Sequence, residues 1–280
     1  MNRSELMNRK QRIVIKVGSS TLTHPETGAM NLTKMERLVR ILADIRNSGR
    51  DVVLVSSGAI AVGRKAMNIT ERPKEQDLKQ ACAAIGQSRL MMVYQRLFAE
   101  YNKITAQVLI TKDTMIQDTM RRNARSTFVK LLEMGTIPVV NENDTVATDE
   151  IEFGDNDTLS AIVAALIQAD LLIILSDQDG FFTADPRKDP DAKLVEEITF
   201  ITDELEAMAG GAGSDVGTGG MAAKISAARI ANDAGADMVI ANGNDMNNIT
   251  RVLEGQNVGT LFRAHRNENF HLIDYLRKER

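Results

Sequence analysis

Acidic residues are concentrated in one short stretch, Asn141 to Asp157, which reads NENDTVATDEIEFGDND. The stretch holds seven carboxylates and three asparagines, and it has no lysine or arginine. It directly follows the apolar run TIPVV, which is typical of a buried strand. A solvated turn would explain this charge. The alternative is that cations distant in sequence, or a ligand, neutralise it.

Two lysines are candidates for such cations. Lys16 lies in the apolar run IVIKVG, where an ammonium group without a partner would be costly. It is either an edge-strand lysine whose stem reaches solvent or a phosphate ligand beside Gly18. Lys224 follows the glycine-rich segment GGAGSDVGTGGMAA at the start of a helical pattern, which is typical of a phosphate-binding loop, although a flexible surface loop is the alternative. Asp157 could lie between the two lysines and hold both in place.

Two further segments combine strand ends with helix starts. SSGA, residues 56–59, offers backbone amides at a helix N-terminus, and Gly58 permits the close approach of an anion. An ordinary turn with Ser57 as N-cap is the alternative. GDND, residues 154–157, is a helix N-terminal signal with Asp155 or Asn156 as the cap.

Several other kinds of site are disfavoured. The Walker A pattern occurs nowhere in the chain, and the glycine-rich segment does not match G-x-G-x-x-G. A G-x-S-x-G nucleophile elbow is also missing. The three histidines are not spaced with acids as metal ligands, so we expect no structural zinc or iron site.

Short apolar runs that alternate with helical patterns predict the fold. The predicted strands occupy residues 13–20, 51–58, 105–110, 136–144, 170–178 and 236–243. Their near-continuous hydrophobicity indicates parallel strands covered on both faces, hence a doubly wound α/β fold with a mostly parallel central sheet flanked by helices in a three-layer sandwich. We expect Thr33 to cap one helix and Gly49 to end it, and VATDEIEF to form a short antiparallel excursion. Ligands of such folds lie at the carboxyl ends of the strands.

Composition narrows the class of protein. A chain of 280 residues could form one large α/β domain or two smaller ones, and its net charge of −4 argues against non-specific nucleic-acid binding. Because no linker divides the chain, we predict one domain, 1–280, with two functional halves, about 1–169 and about 170–280. The single cysteine, Cys82, suits a reducing cytoplasm, and neither a signal peptide nor a membrane span is predicted.

Seven segments occur in an order that resembles the amino acid kinase family and, within it, the glutamate kinases: KVGSSTLT, VSSGAIAVGR, AAIGQSRL, VNENDTVAT, GDNDTLSA, LSDQDGFFTADPR and GTGGMAAK. The resemblance runs from about Ile13 to about His265. It implies ATP-dependent phosphorylation of the side-chain carboxylate of L-glutamate to L-glutamyl 5-phosphate, the first step of proline biosynthesis. Many family members carry a further C-terminal domain similar to RNA-modifying enzymes, and none is expected here.

The resemblance also implies site residues. Lys16, Asp157 and Lys224 would be catalytic. The residues that match the glutamate-binding positions are Ser57, Gly58, Asp144 and Asn156. The residues that match the ATP-binding positions are Lys16, Gly18, Ser176, Asp177, Thr218, Gly219, Gly220, Met221, Ala222, Ala223 and Lys224. Mg²⁺ would bind mainly through the phosphates of ATP, with no protein metal ligand assigned.

Partners follow from the same resemblance. We expect an amino-acid-binding N-terminal half, a nucleotide-binding C-terminal half and a homo-oligomer, either dimer or tetramer. Feedback inhibition by proline and hand-over of the product to glutamyl phosphate reductase are further expectations. Two alternatives stay open: a kinase of another substrate, such as acetylglutamate or a nucleoside monophosphate, and a non-catalytic amino-acid sensor of the same fold.

Overall fold

The computed structural model describes residues 2–147, 153, 155–186, 188–210 and 220–278. The chain divides into two compact units, Met1–Lys16 with Gly154–Arg280, and Val17–Phe153. These units are defined by compactness and not by what they bind. The division into an amino-acid-binding and a nucleotide-binding half therefore stays a prediction.

Within the described residues there are eight strands and twelve helices. The strands are β1 (Arg12–Val17), β2 (Asp51–Ser56), β3 (Thr105–Ile110), β4 (Ile137–Glu142), β5 (Leu171–Ser176), β6 (Glu197–Ile198), β7 (Asp237–Asn242) and β8 (Thr260–Phe262). The helices are α1 (Arg3–Asn8), α2 (Ser19–Leu22), α3 (Leu32–Asn47), α4 (Ala59–Ala66), α5 (Gln76–Ala99), α6 (Lys112–Ile116), α7 (Asp118–Glu133), α8 (Asn156–Ile167), α9 (Asp203–Gly210), α10 (Met221–Asp233), α11 (Asn247–Leu253) and α12 (Leu272–Lys278).

The strands form a mostly parallel sheet in the order β3-β4-β2-β1-β5-β7-β8-β6, flanked by helices. This is the doubly wound α/β fold that the alternating pattern predicts, and all six predicted strands are present. Two strands were not predicted. The short β8 runs antiparallel to β7, and β6 pairs with β8.

In the unit Val17–Phe153, β2, β4 and β3 are parallel neighbours. Helices α4 and α5 cross with their backbones in contact, because glycine stands at both crossing points. A Cβ atom on Gly63 would lie 1.8 Å from the carbonyl oxygen of Cys82, and one on Gly86 would lie 1.7 Å from that of Ala59. Larger residues at these positions would force the two helices apart.

In the other unit, α8 is buried almost all round, as expected of a helix with apolar residues on every face. It packs against β5 and α10, and α10 also packs against β7. Burial of α8 extends to its first turn. As a result, the polar residues that open the helix are shielded from water together with the apolar ones that follow.

Helix ends test the predicted caps. The prediction for Thr33 is wrong: α3 begins two residues earlier, and the side chain of Asn31 accepts the backbone N–H of Lys34 at 3.0 Å. Asparagine caps helices better than threonine does, and Asn31 satisfies a backbone N–H group of the first turn. Thr33 therefore lies inside the helix. Gly49 does follow the end of α3, in the left-handed region with φ of +89°. Asp155 caps α8 as predicted and accepts the backbone N–H of Thr158 at 2.8 Å.

Two predicted features fall wholly or partly outside the described residues. The antiparallel excursion VATDEIEF includes residues 148–152, and the glycine-rich segment includes residues 211–219. None of the helices in the described part of the chain is long and apolar enough to cross a membrane.

Candidate active site

Asp157 lies in the first turn of α8 and is 1% exposed. The cap formed by Asp155 fixes where the helix begins, and the hydroxyl of Ser160 donates to the carbonyl oxygen of Asp157 at 2.6 Å. The backbone at Asp157 is therefore held on both sides. Its carboxylate, being buried, must find its partners within the protein.

Two lysines supply those partners. The Nζ atom of Lys16, near the end of β1, lies 2.7 Å from Oδ1 of Asp157. The Nζ atom of Lys224, in the first turns of α10, donates to Oδ2 at 3.1 Å. The contact to Oδ1 lacks the alignment of a hydrogen bond, so charge attraction holds Lys16 there. The structure thus brings together the three residues predicted to be catalytic, which are separated by up to 208 positions (224 − 16).

The three charged side chains of this cluster are all buried, which is unusual for charged residues. Lys16 and Lys224 are 9% and 7% exposed, so the alternative in which Lys16 reaches solvent is wrong. Two buried ammonium groups share one carboxylate here. Fixed, buried cations of this kind suit the binding of an anionic ligand such as a phosphate.

Asp155 adds a second acid beside the cluster. Burial raises the pKa of its carboxyl group above the ordinary value, and the nearby charge of Asp157 raises it further. The Thr158 backbone N–H and the charge of Lys16 act in the opposite direction. The visible task of Asp155 is to cap α8.

The N-terminus of α10 provides further anion-binding groups. Gly220 is the N-cap with an extended backbone, and as a glycine it has no side chain to cap the helix. Met221, Ala222 and Ala223 follow as the first helical residues, so their backbone N–H groups and the positive end of the helix dipole lie next to Lys224 in sequence. Thr218 and Gly219, the other two predicted members of this segment, lie outside the described residues.

Ser176 and Asp177 end β5 at the same carboxyl edge as the end of β7. The Ser176 hydroxyl donates to Oδ1 of Asp177 at 3.1 Å and accepts the backbone N–H of Gln178 at 3.3 Å. The backbone N–H of Gly243 donates to the carbonyl of Ser176 at 2.7 Å. These bonds hold a compact polar turn where β5 ends, the position at which α/β sheets bind ligands.

The predicted glutamate-binding residues lie in both units. Ser57 and Gly58 follow β2, and the N-cap of α4 is Gly58 and not Ser57, with φ of +106°, a conformation that suits glycine. Asp144 lies in a half-buried turn after β4. Asn156 belongs to the other unit, where it is the first residue of α8, next to Asp157.

Gly18 is the N-cap of α2, directly after β1. The backbone N–H of Ser57 donates to the carbonyl oxygen of Val17 at 3.1 Å, which ties the residue before Gly18 to the end of β2. A Cβ atom on Gly58 would come within 3.9 Å of Ser19. The two glycine turns that were singled out from the sequence are therefore neighbours.

Sequence reasoning missed a group of buried polar side chains behind these strand ends. The Glu142 carboxylate accepts the backbone N–H of Phe153 at 3.0 Å, and Asn141 donates to the side chain of Gln87 at 3.1 Å. Tyr94 contacts the hydroxyl of Ser56 at 2.9 Å. Gln87 and Tyr94 are seven positions apart on α5, and this spacing is the only signal of their shared direction that the sequence carries.

The described residues contain no group of three or more His, Cys, Asp or Glu side chains that could hold a metal ion. The site contains the buried ammonium groups of Lys16 and Lys224 and the N-terminus of α10. Such groups fit a phosphate-bearing ligand.

Comparison with known proteins shows which family the chain resembles. A model of the amino acid kinase family matches residues 11–242. Glutamate 5-kinase of Carboxydothermus hydrogenoformans is 54% identical over 258 residues, which cover 92% of this chain and 69% of that protein. Glutamate 5-kinase of Clostridium perfringens is 50% identical over 262 residues, which cover 92% of this chain and 97% of that protein.

Solved structures show the same fold at lower identity. Isopentenyl phosphate kinase of T. acidophilum has a TM-score of 0.62 and 18% identity, covering 90% of this chain and all of that one. UMP kinase from Bacillus anthracis has a TM-score of 0.62 and 16% identity, covering 92% and 97%. At this identity the likeness concerns the fold alone.

Proposed function

This chain belongs to the amino acid kinase family, and from that membership, together with its similarity to glutamate 5-kinases, we propose that it transfers a phosphoryl group from ATP to L-glutamate. The acceptor is the side-chain carboxylate and the product is L-glutamyl 5-phosphate, the first intermediate of proline biosynthesis. The enzyme is thus a phosphotransferase with a carboxyl group as acceptor.

One observation carries this proposal: the carboxylate of Asp157 is shared by the buried ammonium groups of Lys16 and Lys224. Charge spreads over the oxygens of a transferring phosphoryl group, and preorganised cations stabilise it there. The acceptor carboxylate has an ordinary pKa of about 4.3 and is already ionised at neutral pH. Alignment and charge neutralisation are therefore the tasks left to the protein, and no general base is needed.

Asp157 has a separate task in this scheme. Two ammonium groups near one another repel, and each lysine stem is flexible. One fixed carboxylate with an oxygen for each lysine holds both cations in place before any substrate arrives, so the lysines need little reorganisation when phosphate binds.

We assign the nucleotide to the segment around α10 and the end of β5. The backbone amides that follow Gly220, together with Lys224, would hold the phosphates, with Thr218 and Gly219 continuing the cradle. Ser176 and Asp177 would contact ATP at the end of β5, and Gly18 would admit a phosphate beside Lys16. Mg²⁺ would reach the site bound mainly to the phosphates of ATP, where it supplies further positive charge.

We assign glutamate to Ser57, Gly58, Asp144 and Asn156. The carboxylate of Asp144 suits the α-ammonium group of the amino acid, and the Ser57–Gly58 turn offers a hydroxyl and backbone amides for carboxylates. The acidic stretch thus divides its charge between two tasks. Asp157 orients the lysines, and Asp144 binds the ammonium group.

Further partners are proposed on the strength of the family. They are a homo-oligomer of two or four copies, feedback inhibition by proline and transfer of the product to glutamyl phosphate reductase. A cytoplasmic location is proposed because the one cysteine, Cys82, is a buried free thiol, as suits a reducing compartment.

The test is an assay of ADP release with MgATP and a panel of acids, namely glutamate, aspartate and N-acetylglutamate, with hydroxylamine present to trap an acyl phosphate as its hydroxamate. We expect hydroxamate with glutamate. Hydroxamate with N-acetylglutamate or aspartate but not with glutamate would assign a different acceptor to the same fold. Binding of glutamate without any ADP release under all conditions would favour a non-catalytic sensor.

A further inference from the structure

Helix α5 directs a row of polar side chains towards the ends of β2 and β4. Gln80, Gln87 and Tyr94 are spaced by seven residues, which is close to two helical turns, so they share one face. Gln80 donates to the carbonyl oxygen of Ala147 at 3.0 Å, at the end of the turn that contains Asp144. Buried polar groups on a helix require such partners, and those of Tyr94 and Gln87 include Ser56 and Asn141 at the ends of β2 and β4.

Tyr94 acts on the Ser57–Gly58 turn through one intervening hydroxyl. Its OH lies 2.9 Å from Oγ of Ser56, and Ser56 donates to the carbonyl oxygen of Ser57 at 3.2 Å. Either hydroxyl could donate across the Tyr94–Ser56 contact, but a serine hydroxyl has one proton, so Tyr94 is the donor when Ser56 donates to Ser57. The chain of donation therefore runs from Tyr94 through Ser56 to the backbone of Ser57.

Burial keeps this donor in its protonated form. The side chain of Tyr94 is fully buried, and this burial raises the pKa of its hydroxyl well above the ordinary value. The hydrogen bond is thus present throughout the pH range in which a kinase operates. A phenylalanine in this place would keep the packing and lose only the donor.

Gln87 acts in the same way on the end of β4. Its Oε1 atom accepts from Nδ2 of Asn141 at 3.1 Å, and its Nε2 atom donates to Oε1 of Gln107 at 3.2 Å. The three amides form a directed chain in which Gln87 is the acceptor for Asn141. This fixes which end of the Asn141 amide faces Gln87, and Asn141 leads directly into the turn of Asp144.

The position of α5 itself is tightly set. The close approach of Gly86 to Ala59, and of Gly63 to Cys82, leaves no room for α5 to slide along α4. Helix α4 begins directly after Gly58, and Gly86 directly precedes Gln87. The backbone contact therefore fixes the distance from the polar row to the strand ends.

We propose that α5 positions the acceptor-binding strand ends, with Tyr94 and Gln87 as positioning residues: Tyr94 sets the Ser57–Gly58 turn and Gln87 sets the Asn141 side chain. The inference rests on the proposed function, which places the acceptor at these strand ends. Neither residue needs to touch the acceptor. Their effect is on its affinity and not on the phosphoryl-transfer step.

The first test is Tyr94→Phe. Loss of one neutral buried hydrogen bond should raise the KM for the acceptor by about threefold to tenfold. The kcat at saturating substrates and the KM for ATP should stay within about twofold, because the nucleotide is assigned to other elements. Phe98→Leu, a buried substitution one turn further along α5, is the matched control. It should lower the melting temperature without raising the KM for the acceptor.

Two variants distinguish an effect on acceptor binding from an effect on the stability of the fold. Ser56→Ala leaves the Tyr94 hydroxyl without its acceptor, so it should lower the melting temperature and raise the acceptor KM. Adding Tyr94→Phe to it removes both polar partners, and the melting temperature should recover while the KM stays high. A KM that returns to the wild-type value together with the melting temperature would overturn the role of Tyr94.

The role of Gln87 is tested with variants that remove or keep the hydrogen-bond acceptor for Asn141. Gln87→Met keeps the length of the side chain but has no acceptor for Asn141, so the acceptor KM should rise about threefold or more. Gln87→Glu keeps an acceptor for Asn141, so the acceptor KM should rise less than in Gln87→Met, although the buried carboxylate loses the donor to Gln107 and should lower the melting temperature. Equal effects of the two variants, or no effect of either, would overturn the role of Gln87.

The KM in all these assays is measured with whichever acid of the panel the wild-type protein phosphorylates. If glutamate is not that acid, the proposed function fails and the positioning test still applies to the true acceptor. If glutamate is the acceptor and both Tyr94→Phe and Gln87→Met leave its KM unchanged, only the present inference fails.

Discussion

At the scale of single residues, the site depends on how one carboxylate is divided between two lysines. Replacing either lysine leaves the other paired with Asp157, so the cluster keeps one buried ion pair. Replacing Asp157 leaves two buried ammonium groups without it, and breaking a buried pair in this way costs about 3–5 kcal/mol. Lysine variants are therefore the better probes of chemistry, and Asp157 variants are the better probes of stability.

Lys224→Met should abolish most turnover while the protein still folds. The helix α10 keeps its core contacts through Ile225, Ala228 and Ile230, and methionine is well tolerated in helices. Removing one preorganised cation should lower kcat by about 10²–10³-fold, with little change in the KM for glutamate. The measurement is kcat at saturating glutamate and MgATP, together with a thermal melt.

Lys130→Met is the control for this variant, because Lys130 forms an exposed ion pair with Glu133 on α7. Its kcat should equal that of the wild type. A Lys224→Met enzyme with near-native melting and near-native kcat would show that Lys224 lies beside the reaction and takes no part in it.

Asp155 should make the stability of the folded protein depend on pH. Because burial raises its pKa in the folded protein, the folded state binds the proton more tightly than the unfolded state does. Its contribution to stability is therefore full below its ordinary pKa and is lost as pH rises through the raised value. Asparagine caps helices as well as aspartate does and carries no charge.

Asp155→Asn should therefore be more stable than the wild type at pH 7, and the difference should shrink as pH falls towards 4. The measurement is the free energy of unfolding in urea at intervals between pH 4 and pH 7.5. A variant less stable than the wild type at pH 7 would show that the neighbouring charge of Lys16 outweighs burial and that the ionised form of Asp155 supports the fold.

At the scale of elements, the helices bring different parts of the site to the strand ends. The N-terminus of α8 carries Asp157, and that of α10 carries Lys224 on the facing side. Helix α5 contributes no predicted site residue, yet it contacts the last residues of β2 and β4 through Tyr94 and Gln87. A positioning role for α5 is therefore proposed from these contacts and not from any site residue on the helix.

The contact between α4 and α5 gives a prediction at this scale. Gly86→Ala would place a methyl group 1.7 Å from a backbone carbonyl oxygen, so the two helices must separate. Overpacking of this kind costs about 1–3 kcal/mol or more, and the shift should also raise the KM for the acceptor, since α4 begins at the Ser57–Gly58 turn.

The matched control for Gly86→Ala is Ala84→Ser, on the exposed side of the same helix. It should change the melting temperature by little. Equal melting temperatures of Gly86→Ala and the wild type would show that α4 and α5 do not depend on this backbone contact.

At the scale of the whole molecule, overall charge and local charge have opposite signs. The chain carries −4, although both ATP and glutamate are anions. Attraction of the substrates must therefore come from the site and not from the general field of the protein. We propose that the buried lysines and the N-terminus of α10 provide it.

Removing magnesium tests whether the metal ion enters the site bound to ATP or is held by the protein itself. With excess EDTA, turnover should stop, while the melting temperature of the free protein should not change, because the metal is proposed to enter on ATP. Saturating MgATP should stabilise the protein by about 2.7 kcal/mol at 100 times its Kd, and chelation should reduce this effect. A fall in the melting temperature of the free protein on chelation would show a metal ion held by the protein itself.

Most of the fold could be predicted from the sequence, because parallel strands buried on both faces appear as continuous apolar runs of fixed length. The strand at residues 105–110 was predicted to the residue. The strands β6 and β8 were missed because two or three residues carry no periodic signal, and they are defined only by pairing with distant segments. The start of α3 was misplaced because the cap is Asn31, two residues before the predicted Thr33, and both residue types can cap a helix.

The sequence by itself determined the family, the fold and the residue types of the site, because glycine-rich turns, strand ends and single buried lysines are local features. Only the tertiary structure decided that Asp157 receives both lysines, since that contact joins residues 67 and 141 positions away from it. It also decided that Gln87 and Tyr94 turn towards the strand ends. On a helix, spacing determines which side chains share a face, but packing alone determines what that face meets.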